Sequence, residues 1–235
     1  MAHHPSKPAV NNQPSPQWKQ AQANYDRLSR WYDLLTGKSE LSMTLTGIQK
    51  LGLRPGETIL EIGCGTGRAL LELAQTSGKA CKVHGVDISR GMLLRAWSKL
   101  RKAGLERTVF LAQANALNLP YPAETFDAIL VSFTLELFPS QQIKDILQEC
   151  QRVLQTEGRL SVISLAQRDP AGRIQRIYEW LHGRFPALID CRPIPVSSTL
   201  QDSGFHVIDR VEWNLYGIPV EIAWATRYSS HSHDL

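Results

Sequence analysis

The sequence predicts an α/β protein with one doubly wound sheet, on the basis of three observations. A short apolar run at residues 59–62 is followed by glycines at alternate positions and then by a helical segment. Apolar runs and amphipathic runs alternate from there to about residue 165, which is typical of a parallel sheet. Two more strand-like runs, separated by only a few residues, predict an antiparallel hairpin at the end.

The individual elements follow from the periodicity of apolar residues and from the glycines and prolines between them. Strands are predicted at 59–62, 83–86, 109–113, 126–131, 159–165, 205–213 and 218–226. Helices are predicted at 21–35, 41–51, 68–74, 90–103, 141–154 and 171–185, with Gly158 ending a connection and an extended loop around Pro186, Pro193 and Pro195. The result is a seven-stranded mixed sheet.

Composition excludes several classes of function. The chain has 235 residues, 43% of them hydrophobic and 20% charged, and its net charge is only +4. The basic residues are scattered, so nucleic acid is not an expected partner. The cysteines form no C-x-x-C pair, which argues against a disulfide framework or a zinc site and favours the cytoplasm. They are Cys64, Cys81, Cys150 and Cys191.

One basic group stands out on the predicted helix at 90–103. Four basic residues are expected opposite an apolar face; the basic residues are Arg95, Lys99, Arg101 and Lys102, and the apolar ones are Met92, Trp97 and Leu100. A solvated helix face is the favoured interpretation. Peripheral contact with an anionic lipid surface is the alternative.

The glycine turn after the first strand reads Glu61-Ile-Gly-Cys-Gly-Thr-Gly67, and the next strand ends on Asp87. A carboxylate at that position suits the two hydroxyls of a ribose. The dinucleotide pattern G-x-G-x-x-G fails in both frames, which weakens an NAD-dependent dehydrogenase, and no P-loop is present. A plain glycine-rich turn is the structural alternative. The E-x-G-x-G-x-G pattern resembles motif I of the class I S-adenosylmethionine (SAM)-dependent methyltransferases.

Further segments are similar to the ubiquinone/menaquinone-biosynthesis methyltransferases, a type 11-like methyltransferase family. Residues 25–35 resemble that family's F-D-x-x-A-x-x-Y-D-x-x-N segment. Residues 113–116 and 119–122 are similar to its loop after the third strand, and residues 125–133 to its fourth strand. The resemblance covers residues 25–165 well and the remainder in outline, and it implies a Rossmann-like fold.

The resemblance implies one domain at 18–228, comprising lid helices at 18–52, a SAM-binding core at 57–165 and an acceptor-side part at 166–228. Residues 1–17 are expected to be a disordered arm and 229–235 a tail. The implied cofactor contacts are Tyr25, Tyr32, Glu61, Gly63, Gly65, Thr66, Gly67, Asp87, Ile88, Asn115, Ala116 and Ser132. In this scheme Asp87 binds the ribose, Glu61 lies near the ammonium group, and Asn115 with Ala116 faces adenine. For Asn115 and Ser132, an ordinary turn hydrogen bond is the structural alternative.

Two departures from the family fall on the acceptor side. The quinone enzymes have Gly-Leu-Arg-Asn where this chain has Thr134-Leu-Glu-Leu137, so Glu136 replaces an arginine. Their carboxyl-terminal G-x-x-x-x-H-R-G-Y segment is replaced by Gly217-Ile-Pro-Val-Glu221. The cofactor half of the resemblance therefore transfers, and the quinone half does not.

The sequence thus predicts a SAM-dependent methyltransferase for a small, apolar or lipid-like acceptor: a quinol, a phospholipid amine or an isoprenoid-type hydroxyl. No metal is expected. Tyr32 and His182 are candidate catalytic residues, with Tyr25, Asp190 and Arg192 as further acceptor-side candidates, and packing or surface roles are the alternative for each. A non-catalytic SAM-binding module that acts through a partner is the alternative function. The oligomeric state and the acceptor atom stay open.

Overall fold

A computed structural model describes residues 38–78, 80–167, 192–215 and 217–227 of the chain. Seven strands form one sheet in the described residues. They are β1 (Thr58–Ile62), β2 (Lys82–Asp87), β3 (Val109–Gln113), β4 (Phe126–Ser132), β5 (Leu154–Leu165), β6 (Phe205–Leu215) and β7 (Ile218–Arg227).

Five helices are described, together with a short 3-10 turn at Leu135–Leu137. They are α1 (Lys38–Lys50), α2 (Arg68–Ser77), α3 (Arg90–Lys102), α4 (Ser140–Val153) and α5 (Val196–Asp202). Helix α3 begins at an N-cap, since Ser89 Oγ accepts from Met92 N at 3.1 Å. Within the described residues, no helix has the length and apolarity needed to span a bilayer.

The strand order across the sheet is β3-β2-β1-β4-β5-β7-β6. Strands β1 to β5 pair in parallel, whereas β7 pairs antiparallel with both β5 and β6. The predicted doubly wound mixed sheet with a terminal hairpin is therefore confirmed. The order reverses between β1 and β4, and ligands of open α/β sheets bind in the crevice at the carboxyl edge of such a switch point.

The core has two layers, one on each face of the sheet. Helices α1, α2 and α3 cover one face with side chains such as Met43, Leu70 and Leu100. Helices α4 and α5 cover the other face with side chains such as Ile146 and Leu200. The central strand β4 contributes to both layers, so its apolar residues are continuous rather than alternating.

One helix was not predicted from the sequence, and two predictions are wrong. Residues 196–202, which follow the predicted loop, form helix α5, and Pro195 precedes the first helical residue, where proline is tolerated. Strand β5 starts at Leu154, directly after α4, so Gly158 lies inside the strand. Trp97 is 42% exposed on α3 rather than packed on the apolar side with Met92.

Several predictions fall outside the described residues and stay predictions. They are the arm at 1–17, the helices at 21–35 and 171–185, Pro186, the tail at 229–235, and the side chains of Tyr25, Tyr32, His182, Asp190 and Cys191. The division of the chain into lid, core and acceptor-side parts is likewise untested.

Candidate functional site at the carboxyl edge of the sheet

The glycine turn joins β1 to α2 and is fastened to β2. The backbone N–H groups of Gly63 and Cys64 both donate to Val86 O, at 2.9 and 3.0 Å. Gly67 is required for packing, because a Cβ there would lie 2.7 Å from Ala96 Cβ on α3. Gly65 has φ +50°, and a Cβ there would meet nothing within 4 Å. The backbone at Gly65 therefore borders open space at the crevice, where a ligand can approach it closely.

Asp87 ends β2 beside this turn and is held by two backbone donors. Gly65 N–H donates to Asp87 Oδ2 at 2.8 Å, and Ser89 N–H donates to Oδ1 at 2.8 Å. The adjacent Ile88 is tied to β3, since Gln113 Nε2 donates to Ile88 O at 3.0 Å. Gly65 of the turn and Asp87, the acid predicted to bind a ribose, are thus in direct contact, although they are 22 residues apart in sequence.

Glu61 lies beneath the turn with only 2% of its surface exposed. Its Oε2 has no hydrogen-bond partner among the described residues. Burial raises the pKa of Glu61 well above its ordinary value, and the nearby Asp87 raises it further, whereas Lys99 opposes the shift. A buried carboxylate oxygen without a donor suits a cationic ligand group, so this residue fits the predicted ammonium contact of SAM.

Thr66, the polar residue of the turn, is buried and contacts α3. Lys99 Nζ donates to Thr66 Oγ1 at 3.3 Å. Lys99 was predicted to lie on a solvated helix face, with no role in the site. The helical spacing of Ala96 and Lys99, which both face the turn, is the signal that would have indicated this contact.

The loop after β3 places Asn115 and the buried Ala116 near the end of β2. Ala114 N–H donates to Asp87 O at 3.0 Å, which fixes the position of the loop. Asn115 Oδ1 accepts from Leu117 N–H at 3.0 Å, so the side chain closes its own turn. This contact corresponds to the structural alternative for Asn115. Its predicted role toward adenine stays a prediction.

The end of β4 touches both neighbouring strands. Thr134 Oγ1 donates to Ser132 O at 2.9 Å and lies 3.3 Å from Ile62 O, and a Cβ on Gly63 would meet Oγ1 at 2.3 Å. The half-buried Ser132 lies 3.5 Å, Oγ to Oγ1, from Thr44 on α1. Phe133, between Ser132 and Thr134, has φ +49°, a conformation that costs a non-glycine residue about 1–3 kcal/mol. Thr134 was assigned no role in the site from the sequence, although it lies only two residues after the predicted Ser132.

On the predicted acceptor side, Glu136 is 1% exposed and Ser164 Oγ on β5 donates to its Oε2 at 2.9 Å. Burial raises the pKa of Glu136 to about 7 against opposing hydrogen bonds, with a smaller upward contribution from Glu40. Burial also raises the pKa of Glu40, on α1, to about 7, and Arg68 opposes that shift.

The second departure from the family lies on the neighbouring strand. Glu221 on β7 is opposite Ser164 in the sheet register and accepts a hydrogen bond from the Ser197 hydroxyl. The candidate Arg192 is exposed, and its backbone N–H donates to Glu136 O at 2.8 Å. Within the part of the chain that the structure describes, no group of three or more metal-binding side chains is assembled.

Comparisons with known proteins agree with this geometry. Residues 59–158 match a sequence family described as a methyltransferase domain. Demethylmenaquinone methyltransferase of Lactobacillus johnsonii is 32% identical over 119 residues, covering 51% of this chain and 48% of that protein. (+)-O-methylkolavelool synthase of Herpetosiphon aurantiacus is 31% identical over 166 residues, covering 63% and 56%. The chain therefore spans about half the length of these curated relatives.

A solved structure described as a SAM-dependent methyltransferase from Aquifex aeolicus has a TM-score of 0.63 and 25% sequence identity. The match covers 85% of this chain and 98% of that one. The predicted resemblance to class I SAM-dependent methyltransferases and the predicted Rossmann-like fold are both confirmed. SAM is the cofactor of the enzyme class that these comparisons return.

Proposed function

Since residues 59–158 match a methyltransferase domain and the fold resembles a SAM-dependent methyltransferase, we propose that this protein transfers a methyl group from SAM to a hydroxyl of a small, lipid-like acceptor. The observation that carries the cofactor half is the contact between Gly65 N–H and the Asp87 carboxylate at 2.8 Å. This contact supports a ribose site, because the carboxylate of Asp87 lies directly beside Gly65, which has no side chain.

Each cofactor contact has a physical role in this proposal. Asp87 accepts hydrogen bonds from the ribose hydroxyls, and Glu61 faces the ammonium group. The Ala116 backbone and Asn115 border adenine, and Ser132 lines the crevice at the end of β4. When bound, SAM supplies an activated methyl group on a sulfonium, so the chain's own task is to align the acceptor and exclude water.

The acceptor half of the proposal rests on Glu136. A buried carboxyl, with Glu40 and Glu221 contributing further acidity on the same side, disfavours an anionic acceptor such as a diphosphate. A hydroxyl is compatible, because it can donate a hydrogen bond to a carboxylate and then give up its proton. A base with a pKa of about 7 is suited to accept that proton near neutral pH. One relative's printed name also describes an O-methylated product.

The experiment compares acceptors of different charge with methyl-labelled SAM. Farnesol, farnesyl diphosphate and a reduced demethylmenaquinone are each offered to the purified protein, and products are identified by mass and by the atom that carries the label. We expect methylation of a neutral hydroxyl and none of the diphosphate. Methylation of the diphosphate or of a ring carbon would contradict the hydroxyl assignment. Cofactor binding without transfer to these probes or to any molecule of a lipid extract would favour the non-catalytic module.

Glu136→Gln tests the proposed base in the same assay. The amide keeps the size and the hydrogen bond from Ser164, but it cannot take a proton. We expect kcat/KM to fall about 100-fold or more, within the range of general-base catalysis, while the affinity for S-adenosylhomocysteine (SAH) is unchanged. Glu157→Gln is the matched control, because Glu157 is an exposed acid in β5. Equal activity of the two variants would exclude Glu136 as the base.

The remaining part of the proposal is a cytoplasmic location. Cys64, Cys81 and Cys150 are free and buried, which fits the reducing cytoplasm. Cys81 Sγ donates to Arg54 O at 3.1 Å, so that thiol has a structural contact.

A further inference from the structure

Helix α3 exposes two large apolar side chains beside basic ones. Leu94 is 60% exposed and Trp97 is 42% exposed. Arg90, Leu94, Trp97 and Arg101 are spaced by four, three and four residues, so they lie along one stripe of the helix. Residues Met92, Leu93, Ala96 and Leu100 form the opposite, buried face. Helix α3 therefore packs on the sheet through one apolar face and exposes a second, smaller apolar surface.

The charge of α3 has a single sign. Its thirteen residues include five basic and no acidic side chains. Within the described residues, Arg90, Arg101 and Lys102 form no ion pair. Arg90 also stands in the first turn, where the helix dipole disfavours a positive charge. Intrahelical pairing thus does not account for this charge pattern, and the helix dipole favours Arg101 and Lys102 in the last turn but not Arg90. A surface with this single sign of charge complements an anionic partner.

From these observations we propose that the outward stripe of α3 docks the protein onto an anionic lipid surface. Leu94 and Trp97 insert at the level of the headgroups, and Arg90, Arg101 and Lys102 contact the lipid phosphates. An interfacial helix needs this combination of apolar anchors and flanking positive charges. Tryptophan suits the position because its amphipathic ring favours the membrane–water interface.

The position of α3 in the fold links this surface to the crevice. The helix starts at Ser89, two residues after Asp87, so its amino end lies at the carboxyl edge of the sheet. A chain docked through α3 has the cofactor edge close to the bilayer, where a lipid-like acceptor is concentrated. The docking surface stands on its own observations and does not depend on the identity of the acceptor.

The test is co-sedimentation of the full chain with vesicles of phosphatidylcholine alone and with vesicles containing 30% phosphatidylglycerol. We expect binding to the anionic vesicles only, weakening as salt rises. Each basic residue near an anionic surface contributes about fivefold in partitioning, so Arg101→Gln/Lys102→Gln should weaken binding about 25-fold. Leu94→Gln/Trp97→Gln should weaken it at least tenfold, because both anchors are lost.

Ile208→Gln is the matched control, since Ile208 is 55% exposed on β6 at the opposite edge of the sheet. It should bind vesicles like the unaltered chain. All variants should retain SAH affinity, which shows that they are folded. Equal binding to neutral vesicles, no vesicle binding at all, or the same loss in the Ile208 variant would each overturn the proposal. So would tight binding to a duplex oligonucleotide with none to vesicles.

Discussion

Buried carboxyl groups at the carboxyl edge are the residues whose chemistry the fold alters most. Both Glu61 and Glu136 are less than 3% exposed, and burial is the largest cause of the rise in each pKa. Ionising such a group in the folded state costs free energy, so these acids oppose stability near neutral pH. Buried acids that oppose stability fit roles in binding and catalysis rather than in folding.

The pH dependence of stability tests this cost at Glu136. Its folded pKa of about 7 exceeds the ordinary 4.5, so the folded state binds more protons than the unfolded state between those values. This contribution to the free energy of unfolding is present below pH 4.5 and is lost as pH rises through 7. Glu136→Gln has no carboxyl group to ionise and does not lose this stability. We therefore expect its free energy of unfolding to rise by about 2–3 kcal/mol relative to that of the unaltered chain from pH 4.5 to 8. Urea unfolding across that range measures it.

Glu149→Gln is the control, because its pKa moves in the opposite direction. A hydrogen bond from Arg152 lowers the pKa of Glu149, so its stabilisation is present at neutral pH and disappears on acidification. That variant should be weakest at neutral pH relative to the unaltered chain and should recover in acid. A Glu136 variant whose difference from the unaltered chain stays constant with pH would show that the pKa of Glu136 is the same in the folded and unfolded states.

At the scale of elements, apolar runs and glycines were enough to predict all seven strands of the described residues, although β5 begins at Leu154 rather than at residue 159. The β1 turn is specified locally by Gly63, Gly65 and Gly67, and the hairpin by its short connection. The element that was not predicted depends on contacts with residues that are distant in the sequence. Helix α5 has only seven residues, three of them Ser or Thr, so its helical propensity is low and packing of Val196 and Leu200 stabilises it.

The same limit applies to the candidate site. Asp87 and the glycine turn were identified because strand ends meet at one edge of a parallel sheet. The burial of Glu136 could not be predicted, since its contacts are Ser164 and Arg192, 28 and 56 residues away. The burial of Trp97 was predicted wrongly, because periodicity gives the spacing of apolar residues along a helix but not which helix face packs on the sheet.

Helix α1 offers a test of packing at the element scale. Trp224 Nε1 donates to Gly47 O at 2.9 Å, and a Cβ on Gly47 would lie 2.7 Å from Ile163 Cδ1. Gly47→Ala should therefore destabilise the protein by about 1 kcal/mol net, because overpacking outweighs the better helix propensity of alanine. In an Ile163→Val background, where that methyl is absent, the same change should be neutral or stabilising.

A double-mutant cycle by urea unfolding measures this coupling. Gln49→Ala, an exposed change on the same helix, should show the same small effect in both backgrounds. If Gly47→Ala costs equally with and without the Ile163 methyl, the close approach of α1 to β5 is not what requires glycine there.

At the scale of the whole molecule, the crevice lies at the switch point between β1 and β4, where the two layers of the core meet. A ligand bound there contacts the ends of β1, β2 and β4 together, so binding should stabilise the entire sheet. At 100 times its dissociation constant, SAH should add about 2.7 kcal/mol and raise the Tm by about 5–10 °C.

Two variants make this shift specific. Asp87→Ala removes the ribose acid and should abolish most of the shift. Asp127→Ala should keep it, because Asp127 accepts from Thr58 N–H at the opposite, amino edge of the sheet. NADH should leave the Tm unchanged, since the glycine turn does not have the dinucleotide spacing. An equal shift with NADH, or a full SAH shift in the Asp87 variant, would mean that the crevice binds something other than an adenosyl sulfonium through this acid.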